Sequence, residues 1–451
     1  MLILLACTTP DPTLDTAVEQ TPLPDVWGPE AAPDLDPAPD VVEVHMTAGR
    51  EKRDWLGDGN ETWLWTYNGQ MPGPLIHATV GDTLRVVFTN NLDEPTTIHW
   101  HGLRIDNAMD GVPAIQDPVE PGETFVYEFV LPDAGSYWYH PHVRTFEQVE
   151  RGLQGALVVH EKDPVDIPER YFVVDDAWLE DDGTWGSFAL NSQHMQQMAG
   201  RFGNRLVVNG SLDPLEDEVT GVERWRIVNT ANARTMYIDL EDAEWRVIAV
   251  DGTLLPEPYS VNRVELPVGR RVDLEVLPGA NPVLNVTLPD TSTTPYTWND
   301  YPIFLGTREG DVGGWNAWNA EPLPAMEEVE QELELVFSAS GGGSNIDWEI
   351  NGAVYGDHDT IPVRANTPTL IRLEETSGRP HPFHLHGQFF QVVERDGKEY
   401  PTDVGLLDTV EIGGKEELLL YSTFDNPGLW MAHCHILEHA ERGMMTELLV
   451  E

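Results

Sequence analysis

One strand–turn–strand plan recurs three times along the 451 residues, and it restricts the chain to few architectures. The first copy reads Gly81-Asp-Thr-Leu-Arg-Val-Val-Phe-Thr-Asn-Asn91, then Thr97-Ile-His-Trp-His-Gly102. The second reads Gly221-Val-Glu-Arg-Trp-Arg-Ile-Val-Asn-Thr230, then Thr235-Met-Tyr-Ile-Asp-Leu240. The third reads Thr367-Pro-Thr-Leu-Ile-Arg-Leu373, then His381-Pro-Phe-His-Leu-His-Gly387. Such a repeat is one supersecondary unit used again. Apolar and polar residues alternate in short runs, as in Thr83–Phe88, Thr124–Val130 and Glu416–Tyr421, with turn residues between them. That pattern predicts an all-β chain of antiparallel sandwiches.

Three domains follow: residues 41–163, 164–325 and 326–451. The boundaries fall near Asp163-Pro164 and in the stretch from Thr291 to Pro324. The latter has few periodic apolar positions and reads as a long connection. Residues 1–40 read as an extended, disordered tether. They are rich in Pro, Asp and Thr, and no Lys or Arg precedes Arg50. Met1-Leu-Ile-Leu-Leu-Ala-Cys7 ends like the lipobox of bacterial lipoproteins, which implies a lipid anchor at Cys7 and an extracytoplasmic site, periplasmic or at the cell surface. No later run is apolar enough for a transmembrane helix.

The first and third copies carry histidines where the second carries Tyr237 and Asp239. Composition alone gives about half of one His-x-His pair for 15 histidines, yet four occur: His99/His101, His140/His142, His384/His386 and His433/His435. On a strand, residues i and i+2 share a face, so each pair can present two imidazoles together. Cys434 stands between His433 and His435, so its sulfur faces away from both. Its partners must come from elsewhere: His439 and Met444 downstream, and His381 upstream. Two histidines, a thiolate and a thioether form a blue copper ligand set, with zinc as the other metal to weigh. His45, His77, His160, His194 and His358 lack such partners and read as ordinary residues.

His99-Trp-His-Gly102, Trp138-Tyr-His-Pro-His142, His381-Pro-Phe-His-Leu-His-Gly387 and His433-Cys-His-Ile-Leu-Glu-His439 with Met444 resemble the four copper motifs of multicopper oxidases, most nearly the three-domain bacterial laccase type. The resemblance covers about residues 41–451. It implies cupredoxin-like Greek-key domains and four copper ions. His381, Cys434, His439 and Met444 would hold the type 1 copper; His99 and His384 the type 2. His101, His140 and His435 would hold one type 3 copper, and His142, His386 and His433 the other. Asp110 resembles the family's proton donor. Ala440 stands where laccase-type relatives carry a second acid, which leaves Glu438 or Glu441 for that role.

The resemblance implies one-electron oxidation of phenols or aromatic amines coupled to reduction of O2 to water. The alternative is a metallo-oxidase of cuprous or other metal ions, to which the Met/His stretch Gln193–Met198 would suit. A non-catalytic copper carrier and a two-domain nitrite reductase fit the twelve ligand positions less well. The net charge of −51 excludes nucleic acid as a partner and suits cationic substrates. The expected partners are O2 and a small reductant, with the chain a monomer.

Overall fold

The computed structural model describes residues 26–190, 198–290, 297–342, 345–398 and 404–451. The first domain is two four-stranded sheets. One runs in the order Thr62–Tyr67, Val41–Arg53, Thr83–Asn90, Thr124–Val130. The other runs Gly73–Thr79, Gly155–His160, Gly135–His140, His99–His101. Thr83–Asn90 shows the cause: every second side chain, from Leu84 to Asn90, is buried. On His99–His101, Trp100 enters this core against Tyr127 and Phe129, so the two histidines point the opposite way.

The last domain repeats the design with two five-stranded sheets. One of them sets Gly428–Cys434 between Met445–Val450 and His381–Leu385. The middle domain is one ten-stranded sheet built around the long strands Met236–Val250 and Arg271–Asp290. Its core and that of the last domain form one continuous apolar cluster.

Two expectations need correction. The tether reading fails from Val26 onward. Val26–Trp27 pairs in parallel with Glu169–Ala177, and the Trp27 ring lies 5.7 Å from both Phe172 and Phe304. Arg170 covers the same ring, 5.0 Å from its centroid. The Trp27 ring in its apolar corner and backbone hydrogen bonds joining Glu30, Ala32 and Leu35 to Leu75 and Glu43 order a Pro/Asp-rich segment whose average composition predicts none. Residues 1–25, Cys7 among them, lie outside the described residues. The long connection also contains a strand, Thr297–Glu309, paired with Arg271–Asp290 and Leu215–Thr220. Its first half is exposed on both faces, so no apolar alternation marks it; pairing with its neighbours does.

Candidate metal centre

Strand register sorts the histidines into two groups. Phe383 lies opposite Cys434, and His384 opposite His433. Directly opposed residues of an antiparallel pair share a face. Cys434 is therefore on the side of Phe383 and His381, while His433 is on the side of His384. The Cys434 N–H donates to the Met444 carbonyl at 3.1 Å, next to the His433–Met445 pair. Met444 thus continues the ladder on the Cys434 side and is fully buried there.

Cys434 Sγ lies 3.4 Å from His381 Nδ1 and 3.7 Å from His439 Nδ1, and the two nitrogens are 3.2 Å apart. A point equidistant from these three donors is about 2 Å from each, close to a metal–imidazole bond length. Neighbours aim the rings. Ser377 Oγ and Glu375 hold the far nitrogen of His381 at 3.3 and 3.6 Å, and Trp348 stacks on His439 at 3.9 Å. Burial pushes the Cys434 thiol up, so a cation between the three donors is what would make it a thiolate.

On the other side, eight imidazoles from the first and last domains share one chamber. His142, His386 and His433 converge within ligand distance of one another, as do His99, His384 and His386. His435 faces His101 and His140, with ring centroids 5.0 and 5.6 Å away. The outer shell fixes which nitrogen points inward. His99, His140, His384 and His433 each set Nδ1 against a backbone carbonyl, at 2.8–3.0 Å. The Nε2 atoms of His99, His140 and His384 then have no hydrogen-bond partner among the described residues, and both nitrogens of His435 have none. Buried imidazoles with fixed tautomers and lone pairs directed into one space are a metal-ligand set.

Burial also keeps these rings neutral, as ligation requires. It lowers His101, His140, His142, His386 and His435 well below the ordinary imidazole range and His433 to about 3. The sign of the pH effect follows. Below about pH 6.5 the unfolded chain binds protons that the folded chain refuses, so stability falls as pH drops from there toward 3. Copper-free protein should melt roughly 5–10 °C lower at pH 5 than at pH 7.5 in a calorimetric scan. An unchanged Tm would contradict the neutral-imidazole chamber.

Multicopper oxidase domain profiles match residues 50–164, 186–282 and 328–451. The multicopper oxidase mco of Staphylococcus aureus is 30% identical over 407 residues, spanning 87% of this chain and 85% of that one. The chain belongs to the multicopper oxidase family. Its fold matches a Campylobacter jejuni multicopper oxidase described as a metallo-oxidase, with a TM-score of 0.84, 26% identity and 96% of each chain covered. It also matches a laccase-like enzyme, CueO from Ochrobactrum sp., with a TM-score of 0.79, 26% identity, 95% of this chain and all of that one covered. This multicopper oxidase is therefore an oxidoreductase of three cupredoxin-like domains that works with one type 1, one type 2 and two type 3 copper ions.

The structure gathers every candidate ligand of this oxidase at these two neighbouring places, and Asp110 joins the second. The Asp110 carbonyl accepts from His99 Nδ1 at 2.8 Å, and Oδ2 lies 2.9 Å from His386 Nδ1, so one buried acid holds a ring from each domain. The following Gly111 has φ +77°, and a Cβ there would stand 1.8 Å from the Ile98 carbonyl. Only glycine lets the turn carrying Asp110 lie on the histidine strand.

Sequence reasoning missed Asp408 and Arg271. The Asp408 carbonyl accepts from His384 Nδ1 at 2.9 Å, and its Oδ1 lies 3.3 Å from His101 Nε2. Burial alone would raise the Asp408 carboxyl, but the Arg271 guanidinium, bound at 2.6 and 2.7 Å, holds it low. Arg271 belongs to the middle domain and also donates to Ser136 of the first at 3.0 Å. The three domains therefore meet in one buried polar knot directly behind the imidazoles. The sequence signal is slight: a charge between Leu406-Leu407 and the short strand Thr409–Ile412.

The two acids left open at the sequence level separate. Glu438 is engaged by the Asn232 amide at 2.8 Å and the Arg201 N–H at 3.0 Å. Glu441 lines a small cavity of about 40 Å³ together with His142 and His433. His77 and His160, which lack a His-x-His partner, stack on each other with nitrogens 3.1 Å apart. They come from the paired strands Gly73–Thr79 and Gly155–His160, a neighbourhood that sequence spacing does not show. His194 lies outside the described residues.

Proposed function

We propose that this multicopper oxidase is a laccase-like enzyme that oxidises phenols or aromatic amines. The carrying observation is a cavity of about 480 Å³ that reaches His439, walled by Met198, Phe202, Leu288 and Ile436, with Tyr237, Glu411, Arg234 and Arg379 also lining it. Its size and mainly apolar wall suit a substituted aromatic ring. Glu411, which accepts from the Thr235 hydroxyl, can take a hydrogen bond from a phenolic hydroxyl.

In this reading His381, Cys434, His439 and Met444 hold the type 1 copper, and His99 and His384 the type 2. His101, His140 and His435 hold one type 3 copper; His142, His386 and His433 hold its partner. Bound copper supplies one-electron acceptance and the four-electron reduction of O2. The chain does the rest. The His439 edge meets substrate. The peptide bonds of Cys434 lead directly to His433 and His435, and the His433 ring closes a shorter link by donating to the Cys434 carbonyl at 2.9 Å. Asp110, buried beside His99 and His386, gives up a proton as oxygen is reduced.

One observation favours the metal-ion alternative: Met198, a soft donor, lies in the same cavity. The measurement that decides is kcat/KM for a simple phenol against cuprous ion on copper-loaded protein. We expect the phenol to be turned over with a saturable kcat; a value for cuprous ion about 100-fold higher would reverse the assignment. The Leu-Leu-Ala-Cys7 run supports an extracytoplasmic, lipid-anchored chain. In cells fed a clickable palmitate, the full-length chain should take up label and Cys7→Ser should not; equal labelling removes the anchor.

A further inference from the structure

The middle copy of the repeat carries Tyr237 and Asp239 where the outer copies carry imidazoles, and nothing above uses them as a pair. Tyr237 lies on the strand Met236–Val250 and lines two cavities. One is the cavity reached by His439; the other, of about 310 Å³, lies within the middle domain. Trp298, Tyr259 and Arg263 also line the second. The Trp298 ring meets Tyr237 edge-on, with centroids 4.8 Å apart. The Arg263 guanidinium sits over the same indole, 4.2 Å from its centroid, and is braced by Asp239 at 3.2 Å. The Tyr237 hydroxyl donates to Glu265 at 2.8 Å, which fixes the ring shared by the two cavities.

Trp298 nonetheless leaves 41% of its surface exposed. An indole held by a cation and by an aromatic edge has already lost its rotamer freedom, so a ring stacking on it loses little more. We propose that this second cavity is a distal aromatic subsite, taking the second ring of a two-ring phenol whose first ring is oxidised beside His439. The inference rests on the phenol-oxidase reading. The subsite suits a ring better than a soft metal ion: it offers no thioether, its one carboxylate, Glu265, is engaged by the Tyr237 hydroxyl, and two arginines, Arg263 and Arg270, line it. No chemistry occurs in it: the electron and proton leave the first ring, and the second supplies binding energy.

The test uses copper-loaded enzyme and two measurements. The first is calorimetric affinity for an ether-linked two-ring compound with every phenol O-methylated, which binds without being oxidised. The second is kcat/KM for a one-ring phenol and for the matching two-ring phenol. In Trp298→Ala, affinity for the O-methylated compound and the two-ring to one-ring ratio of kcat/KM should each fall about tenfold. Trp298→Phe, which keeps an aromatic face, should recover most of both. If Trp298→Ala leaves the affinity and the ratio at wild-type values, the subsite is overturned even though phenols are oxidised. If the one-ring phenol is not oxidised at all, the phenol reading falls, and the affinity change alone decides whether the cavity binds a ring.

Discussion

Cys434→Ser should turn a blue protein colourless, lower its copper from four to three ions per chain, and cut substrate oxidation by more than about 10³-fold. The reasoning is geometric. Cys434 faces His381, while His433 and His435 face the other chamber, because neighbours on a strand point oppositely. A serine hydroxyl replaces the soft donor on one side only. His99, His140, His384, His386 and His433 keep their carbonyl or carboxylate supports, none of which involves the Cys434 sulfur. Copper analysis with visible and paramagnetic resonance spectra checks this. A variant without any copper would mean that the two sides are not independent.

The second large effect belongs to Asp110. In Asp110→Asn the blue colour should persist while reoxidation of the reduced enzyme by O2 slows about 10²–10³-fold. The amide oxygen can still accept from His386 Nδ1, where Asp110 Oδ2 stands at 2.9 Å, so the ring keeps its orientation. What the amide cannot do is give up a proton. Stopped-flow mixing of reduced protein with O2 separates the two roles. Reoxidation at the wild-type rate would remove Asp110 as donor and leave it a positioning residue. Asp110→Ala, which removes the acceptor too, should in addition lose copper from the histidine chamber.

Much of the metal centre was legible because its grammar is local. A strand period of two places His433 and His435 together and Cys434 apart, whatever the remainder of the chain does. The four His-x-His pairs exceed what composition allows for the same local reason. The repeat likewise announces three β domains, since alternation along Thr83–Asn90 needs only one buried face. Local reading failed where partners are distant or a segment is unusual. The Pro-rich segment around Trp27 is ordered by distant partners: Phe172 and Phe304 converge on the ring, and Leu75 and Glu43 bond its backbone. Thr297–Glu309 is a strand because two others pair with it, not because its own residues alternate.

The sequence by itself therefore determined the kind of fold, the two faces of the cysteine strand and the inventory of donors. Tertiary structure alone decided how they meet. Asp110 bridges His99 and His386, which lie in different domains. Arg271 and Asp408 lock three domains behind the imidazoles, and Tyr237 joins two cavities. These juxtapositions depend on strand register and on how whole sandwiches dock. Both are set by the sum of many buried contacts, and no short stretch of residues encodes that sum.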